Sequence, residues 1–128
     1  MSYYIARTVP ETDVDAVETR VREALKSEGF GVLTEIDVAA TLKAKIGRDF
    51  RPYRILGACN PEMAHQALQA EDKIGVMLPC NVILQEAKGG TEIAAVDPVA
   101  SMQAVENDSL GAIAGEVRDA LKRVVEKV

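Results

Sequence analysis

A chain of 128 residues with 48% apolar and 27% charged side chains is long enough to bury a core without disulfides or metal to hold it together, and its balance excludes the polar bias of disorder. A net charge of −5 and a pI near 4.9 oppose the phosphate neutralisation on which nucleic-acid affinity rests. No apolar run reaches the ~20 residues of a membrane span, and the amino terminus lacks a secretory signal pattern, so the expectation is one cytoplasmic α+β domain over residues 1–128 with no nucleic-acid or membrane partner.

Ser2 to Val9 predicts a first strand, with Tyr3, Ile5 and Val9 on one face, Tyr4, Ala6 and Thr8 on the other, and Arg7 interrupting the apolar side. Thr12 with Asp15 resembles a capping box. Val14, Val17, Val21 and Leu25 then recur at helical spacing up to Gly29, with Glu18 and Arg22 as a pair on the solvated side. Phe30 to Ile36 alternates as a second strand, Phe30, Val32, Thr34 and Ile36 against Gly31, Leu33 and Glu35. Asp37 caps a short helix with Val38, Leu42 and Ile46 on one side and Gly47 at its end.

Tyr53 to Ala58 is a third strand. Asn60 followed by Pro61 starts a helix to about Asp72, with the stripe Met63, Ala64, Ala67 and Leu68 on the sheet and His65 at its half-exposed edge. Ile74 to Glu86 is the longest strand-like run, and Pro79 within it marks an edge, a bulge or a true strand start at Cys80. Lys88, Gly89 and Gly90 turn it into a hairpin with Thr91 to Val96. Asp97 and Pro98 open a short helix carrying Val99 and Met102. A final helix from Asn107 or Asp108 carries Leu110, Ile113, Val117, Leu121, Val124 and Val128.

A hairpin demands antiparallel neighbours, and two longer helices pack from one side, so the pattern predicts an α+β sandwich rather than a doubly wound parallel sheet. The segments DVAATLKAKIG (Asp37 to Gly47), GACNP (Gly57 to Pro61), LPCNVILQE (Leu78 to Glu86) and VDP (Val96 to Pro98) together resemble the bacterial and archaeal family called domain of unknown function 302. The resemblance covers nearly the whole chain. It implies a strand, a helix, four antiparallel strands and a closing helix, similar to one repeat of the TATA-box-binding protein with short inserted helices, and it implies a homodimer. It assigns no activity and no cofactor, and fold likeness does not carry DNA binding.

Both cysteines are followed by asparagine, and the candidate ligand-binding set is Cys59, Asn60, His65, Cys80 and Asn81. Cys59 precedes a helix start that favours a thiolate, although free Cys is more often a small core residue. A cytoplasmic address disfavours a permanent Cys59–Cys80 disulfide. A metal could draw on Cys59, His65 and Cys80, or on Cys59, Met63, Met77 and Cys80 for copper(I), without any close-ligand signature. Glu86 and Asp97 are offset along the hairpin and make no acid–base pair. No glycine cluster forms a phosphate loop, and a single histidine leaves no serine triad to argue. Asn81 lies inside an apolar strand, where its amide needs partners or a solvated face. With Met77, Ile83, Ala94 and Val96 it suggests a dimer contact or a small-ligand surface. The leading expectation is a dimeric binding protein for a small ligand or partner, with no catalytic residues assigned. The rival is a thiol-based redox or soft-metal protein using Cys59 and Cys80.

Overall fold

The computed structural model describes residues 2–128. In chain order the elements are β1 (Tyr4–Val9), α1 (Val14–Ser27), β2 (Gly31–Asp37), α2 (Val38–Ile46), β3 (Tyr53–Cys59), α3 (Pro61–Ala70), a 3-10 turn (Ile74–Met77), β4 (Cys80–Ala87), β5 (Gly90–Val96), α4 (Pro98–Ser101) and α5 (Leu110–Lys127). The strands form one antiparallel sheet in the order β1-β5-β4-β3-β2. This is the expected α+β arrangement. Alternate residues of the central strands, Leu56 and Ala58, Val82 and Leu84, Ile93 and Ala95, face a helical layer of α1 and α5, where they meet Val17, Val21, Leu25, Val117, Leu121 and Val124. The period of two in the strands and the spacing of three and four in the helices therefore close on a single core.

Several local expectations shift. The cap of α1 is Asp13, whose carboxylate accepts the Asp15 and Ala16 N–H groups, one residue beyond the Thr12 box. The alternation of β2 breaks at a bulge between Val32 and Thr34, so Glu35 turns to α1, where it accepts Arg22 Nη2 at 3.1 Å, and Ile36 loses the face of Phe30. The Ile74 to Glu86 run is no single strand. Val76 is exposed on the 3-10 turn, the Leu78–Pro79 bond is cis, and β4 begins at Cys80.

Polar residues on the strands hold helix ends and faces. Arg7 donates from Nη1 to the carbonyls of Glu126 (2.7 Å) and Val128 (3.0 Å), closing the carboxyl end of α5, where a cation suits unpaired carbonyls. Arg54 on β3 reaches Asp15 and Glu18 of α1 at 2.6 and 3.0 Å. Glu18 is thus a partly buried network member rather than half of a solvated pair. Burial pushes its carboxyl up, and hydrogen bonds from Arg22 and Arg54 outweigh that and hold it below the ordinary carboxylate value. Asn107 serves two elements, its Oδ1 accepting the Ser109 N–H at 3.0 Å just before α5. Its Nδ2 donates to the Ala70 carbonyl at 2.7 Å and to Glu71 Oε1 at 3.2 Å, tying the loop to the end of α3.

The β4–β5 turn lies against β1 so closely that a Cβ on Gly90 would overlap the Val9 carbonyl oxygen, whereas a Cβ on Gly115 in α5 meets nothing. Gly90→Ala is expected to lower stability by about 1–3 kcal/mol through backbone displacement, and Gly115→Ala to raise it by up to about 1 kcal/mol through helix propensity. Urea unfolding midpoints at constant m value check both.

Candidate functional site

Residues 60–79 leave the sheet after β3 and return beside it at β4, because Ala58 and Cys80 are register partners. The helical face beneath is already filled, so α3 stands against the flank of α5. Ala67 of α3, Ile74 of the 3-10 turn and Leu110 of α5 make a second, smaller core, and Ile113 touches both it and the main one. Between the two cores lies an apolar cavity of about 320 Å3. Ala58, Cys80 and Val117 form its inner wall, Met63, Ala64 and Ala67 the α3 wall, and Met102, Leu110 and Ala114 the opposite one. Leu33, thrown outward at the β2 bulge and 67% exposed, and Leu68, 44% exposed, also line it. The volume falls at the small end of ordinary ligand pockets.

The polar groups on this wall are few. Asn60 caps α3 by accepting the Met63 N–H on Oδ1 at 3.2 Å, which leaves Nδ2 as its free donor. A Cβ built on Gly29, whose φ of +84° continues the chain from α1 into β2, would stand 3.2 Å from that Nδ2. Cys59 is half-buried and Cys80 is 8% exposed, and both are free thiols lining the cavity. Burial pushes the Cys80 thiol up to about 11, with the neighbouring Cys59 adding to the effect.

The five expected site residues divide. Cys59, Asn60 and Cys80 line the cavity together. His65 is exposed on α3 rather than half-exposed and does not line it, so the set Cys59, His65 and Cys80 is not assembled. Asn81, next to Cys80 along the strand, points the other way. It is exposed on the sheet face opposite α1 and α5, in a shallow groove of about 440 Å3 with Tyr3, Tyr4, Tyr53, Ile83, Ala94 and Val96. Met77 lines neither surface. Among the described residues no group of three His, Cys, Asp or Glu side chains is placed to hold a metal ion, and no helix is long and apolar enough to cross a membrane. Sequence reasoning missed Leu33, Met102 and Ala114. The only signal available was the run of small side chains Ala64, Ala67 and Ala114 on helix faces otherwise read as core.

The family described as Domain of unknown function DUF302 matches residues 5–128. The crystal structure of an uncharacterized conserved protein DUF302 from Bacillus stearothermophilus is similar with a TM-score of 0.92 and 30% sequence identity, over 99% of this chain and 98% of that one. No curated protein matches the chain significantly.

A thiol held neutral by burial stabilises the fold below its unfolded pKa, and that contribution is lost as pH rises through the folded one. Between about pH 9 and pH 11 the native protein is expected to lose up to about 2–3 kcal/mol, and Cys80→Ala to lose less over the same interval. Urea unfolding as a function of pH measures the difference.

Proposed function

This chain belongs to the domain of unknown function 302 family, and we propose that it is a cytoplasmic, homodimeric binding protein for a small apolar molecule. The observation that carries the reading is the cavity between the two cores, walled by aliphatic and methionine side chains with no charged group among them. A cavity so lined gives an ionised ligand no partner and returns its desolvation cost to the binding equilibrium. It suits a neutral, largely hydrocarbon molecule.

The homodimer reading rests on the other face of the sheet. An antiparallel face left to water normally presents polar residues, whereas this one sets Tyr4, Tyr53, Ile83, Ala94 and Val96 among Asn81, Gln85 and Glu92. Its charges offset each other: Arg51 Nε donates to Gln85 Oε1 at 2.9 Å, and Gln85 Nε2 donates to Glu92 Oε1 at 2.8 Å. On a chain of net charge −5 this near-neutral area is where two copies meet with least repulsion. Five strands of six to eight residues, spaced about 4.8 Å apart with a rise of about 3.4 Å per residue, span about 24 by 24 Å. Two such faces cover about 1,100 Å2, enough for a specific two-fold interface.

A soft-metal reading keeps one support. Cys59, Met63, Cys80 and Met102 bring four of the six sulfur atoms of the chain to one cavity. The raised pKa of Cys80 weighs against it, since thiolate is the ligating form. Elemental analysis of protein purified without chelators decides between the two.

Fluorescence of the uncharged probe N-phenyl-1-naphthylamine is expected to rise on mixing with the wild-type protein. Ala114→Phe, which fills the cavity, should weaken that binding at least about tenfold, or about 1.4 kcal/mol. Undiminished binding by a folded Ala114→Phe variant removes the cavity from the argument. Ile83→Lys, on the open face, is expected to convert a dimer to a monomer in sedimentation velocity while leaving the probe bound. A wild-type monomer at micromolar concentration would end the dimer proposal.

A further inference from the structure

We propose that two copies of this chain meet about a two-fold axis lying along β4, so that the isoleucines of one open face seat in the groove of the other and Asn81 pairs with Asn81 of the second copy. The inference rests on the homodimer reading above and adds to it which residues meet.

In the sheet order β1-β5-β4-β3-β2 the central strand is β4, with two strands on each side. One level of the open face can be followed through the register across the whole sheet: Ile36 pairs with Ile55, Ile55 with Ile83, Ile83 with Ala94, and Ala94 with Ala6. Partners directly opposite on antiparallel strands point to the same side, and Ile83 and Ala94 line the open groove. The row is lopsided. Isoleucine fills it from β2 to the centre, with Ile36 standing 46% exposed, and alanine continues it to the β1 edge. The groove of about 440 Å3 is lined by Ala94 and not by Ile36 or Ile55, so the face carries a ridge on one half and a hollow on the other.

Aligned sheets packed face to face keep their strands within about 30° of each other, which leaves a two-fold axis along the strands or one across them. An axis across the strands lays each strand on its own copy, Ile36 against Ile36 and Ala6 against Ala6, so ridge meets ridge and both hollows stay unfilled. An axis along β4 lays β3 on β5 and β2 on β1. Ile55 then meets Ala94 and Ile36 meets Ala6, which regains the dispersion contacts that an unfilled hollow forfeits. Residues on that axis belong to β4, and each faces itself. The groove side of β4 offers Asn81, Ile83 and Gln85, none of them charged in a chain with 27% charged residues. A charge there would stand against its own like. A carboxamide carries both donor and acceptor, so Asn81 of each copy donates from Nδ2 to Oδ1 of the other. At the next level Gln85 pairs with Tyr53 on one side and Glu92 on the other, and the same rotation sets the phenol of one copy against the carboxylate of its partner.

The test uses the full chain in two variants, Asn81→Cys and Ile36→Cys, treated with dibromobimane, a short reagent that joins two thiols, with the joined residues identified by peptide mass mapping. With the axis along β4 the two introduced thiols at position 81 are neighbours, and those at position 36 lie four strand spacings, about 19 Å, apart. With the axis across the strands the order reverses: position 36 meets itself, and position 81 lies four residues, about 14 Å, from its equivalent. The expected result is a covalent dimer through position 81 and none through position 36. A second pair of variants tests the packing without thiols. Ala94→Ile, which fills the hollow, should weaken association at least about tenfold in sedimentation velocity, and adding Ile55→Ala should recover most of that loss. Within one chain these two positions are two strands, about 10 Å, apart, so recovery reports a contact between copies. A covalent dimer through position 36, none through position 81, or no recovery in the double variant overturns the proposal, and the homodimer reading stands if the wild-type protein still sediments as a dimer. A wild-type monomer removes both.

Discussion

The antiparallel pairing of β3 with β4, Ala58 opposite Cys80, is the constraint from which the rest of the molecule follows. Neighbouring antiparallel strands can be joined by two residues, as β4 and β5 are by Lys88 and Gly89. Between β3 and β4 the chain instead spends residues 60–79 outside the sheet. The face that would receive them is occupied by α1 and α5, whose stripes cover the central strands. The excursion must therefore find its own apolar partner, and it does so on the amino-terminal half of α5 through Ala67, Ile74 and Leu110. Two cores that share α5 but are built from different segments do not interlock fully. The space left between them is the cavity.

Helix ends in this chain are served from elsewhere in the fold. Arg7 looks like a fault in the apolar face of β1, yet it closes the last turn of α5. Arg54 sits on the core side of β3 because Glu18 and Asp15 wait above it. Asn107 ties the end of α3 to the turn that opens α5. All three are engaged by the fold. On the cavity wall Asn60 is engaged in the same way, as the cap of α3, which leaves the two thiols as the polar groups without a partner among the described residues.

What could be read from the sequence was whatever depends on local period. The stripes of α1 and α5, the Asn60–Pro61 helix start and the β4–β5 hairpin were legible because propensity, capping and patterning agree there. The bulge at Leu33 was not, because Gly31 to Asp37 keeps its alternation on paper and only pairing with β3 shows the extra residue. The 3-10 turn at Ile74–Met77 was hidden in the same way: its apolar residues continue the pattern of β4, and Pro79 alone marked the boundary. For the site, sequence proximity misled. Cys80 and Asn81 are adjacent along the chain, and period two sends them to opposite sides of the sheet. His65, close to Cys59 in sequence, is turned by α3 toward solvent.

That separation bears on how the two surfaces relate. The cavity takes its inner wall from Ala58 and Cys80, and the open face takes Asn81 and Ile83 from the same β4. At Gly57, paired with Asn81, the backbone is closely covered, since a Cβ there would overlap both Thr34 and Pro79. Strands β3 and β4 therefore supply residues to both surfaces. Close-packed interiors do not deform continuously. A molecule that pressed Cys80 aside would have to move the ladder carrying Asn81, whereas one that fitted the existing gap would leave the open face unchanged. The aliphatic cavity walls with their two methionines favour the second case, because Met63 and Met102 can change rotamer to match a ligand without any movement of the strands.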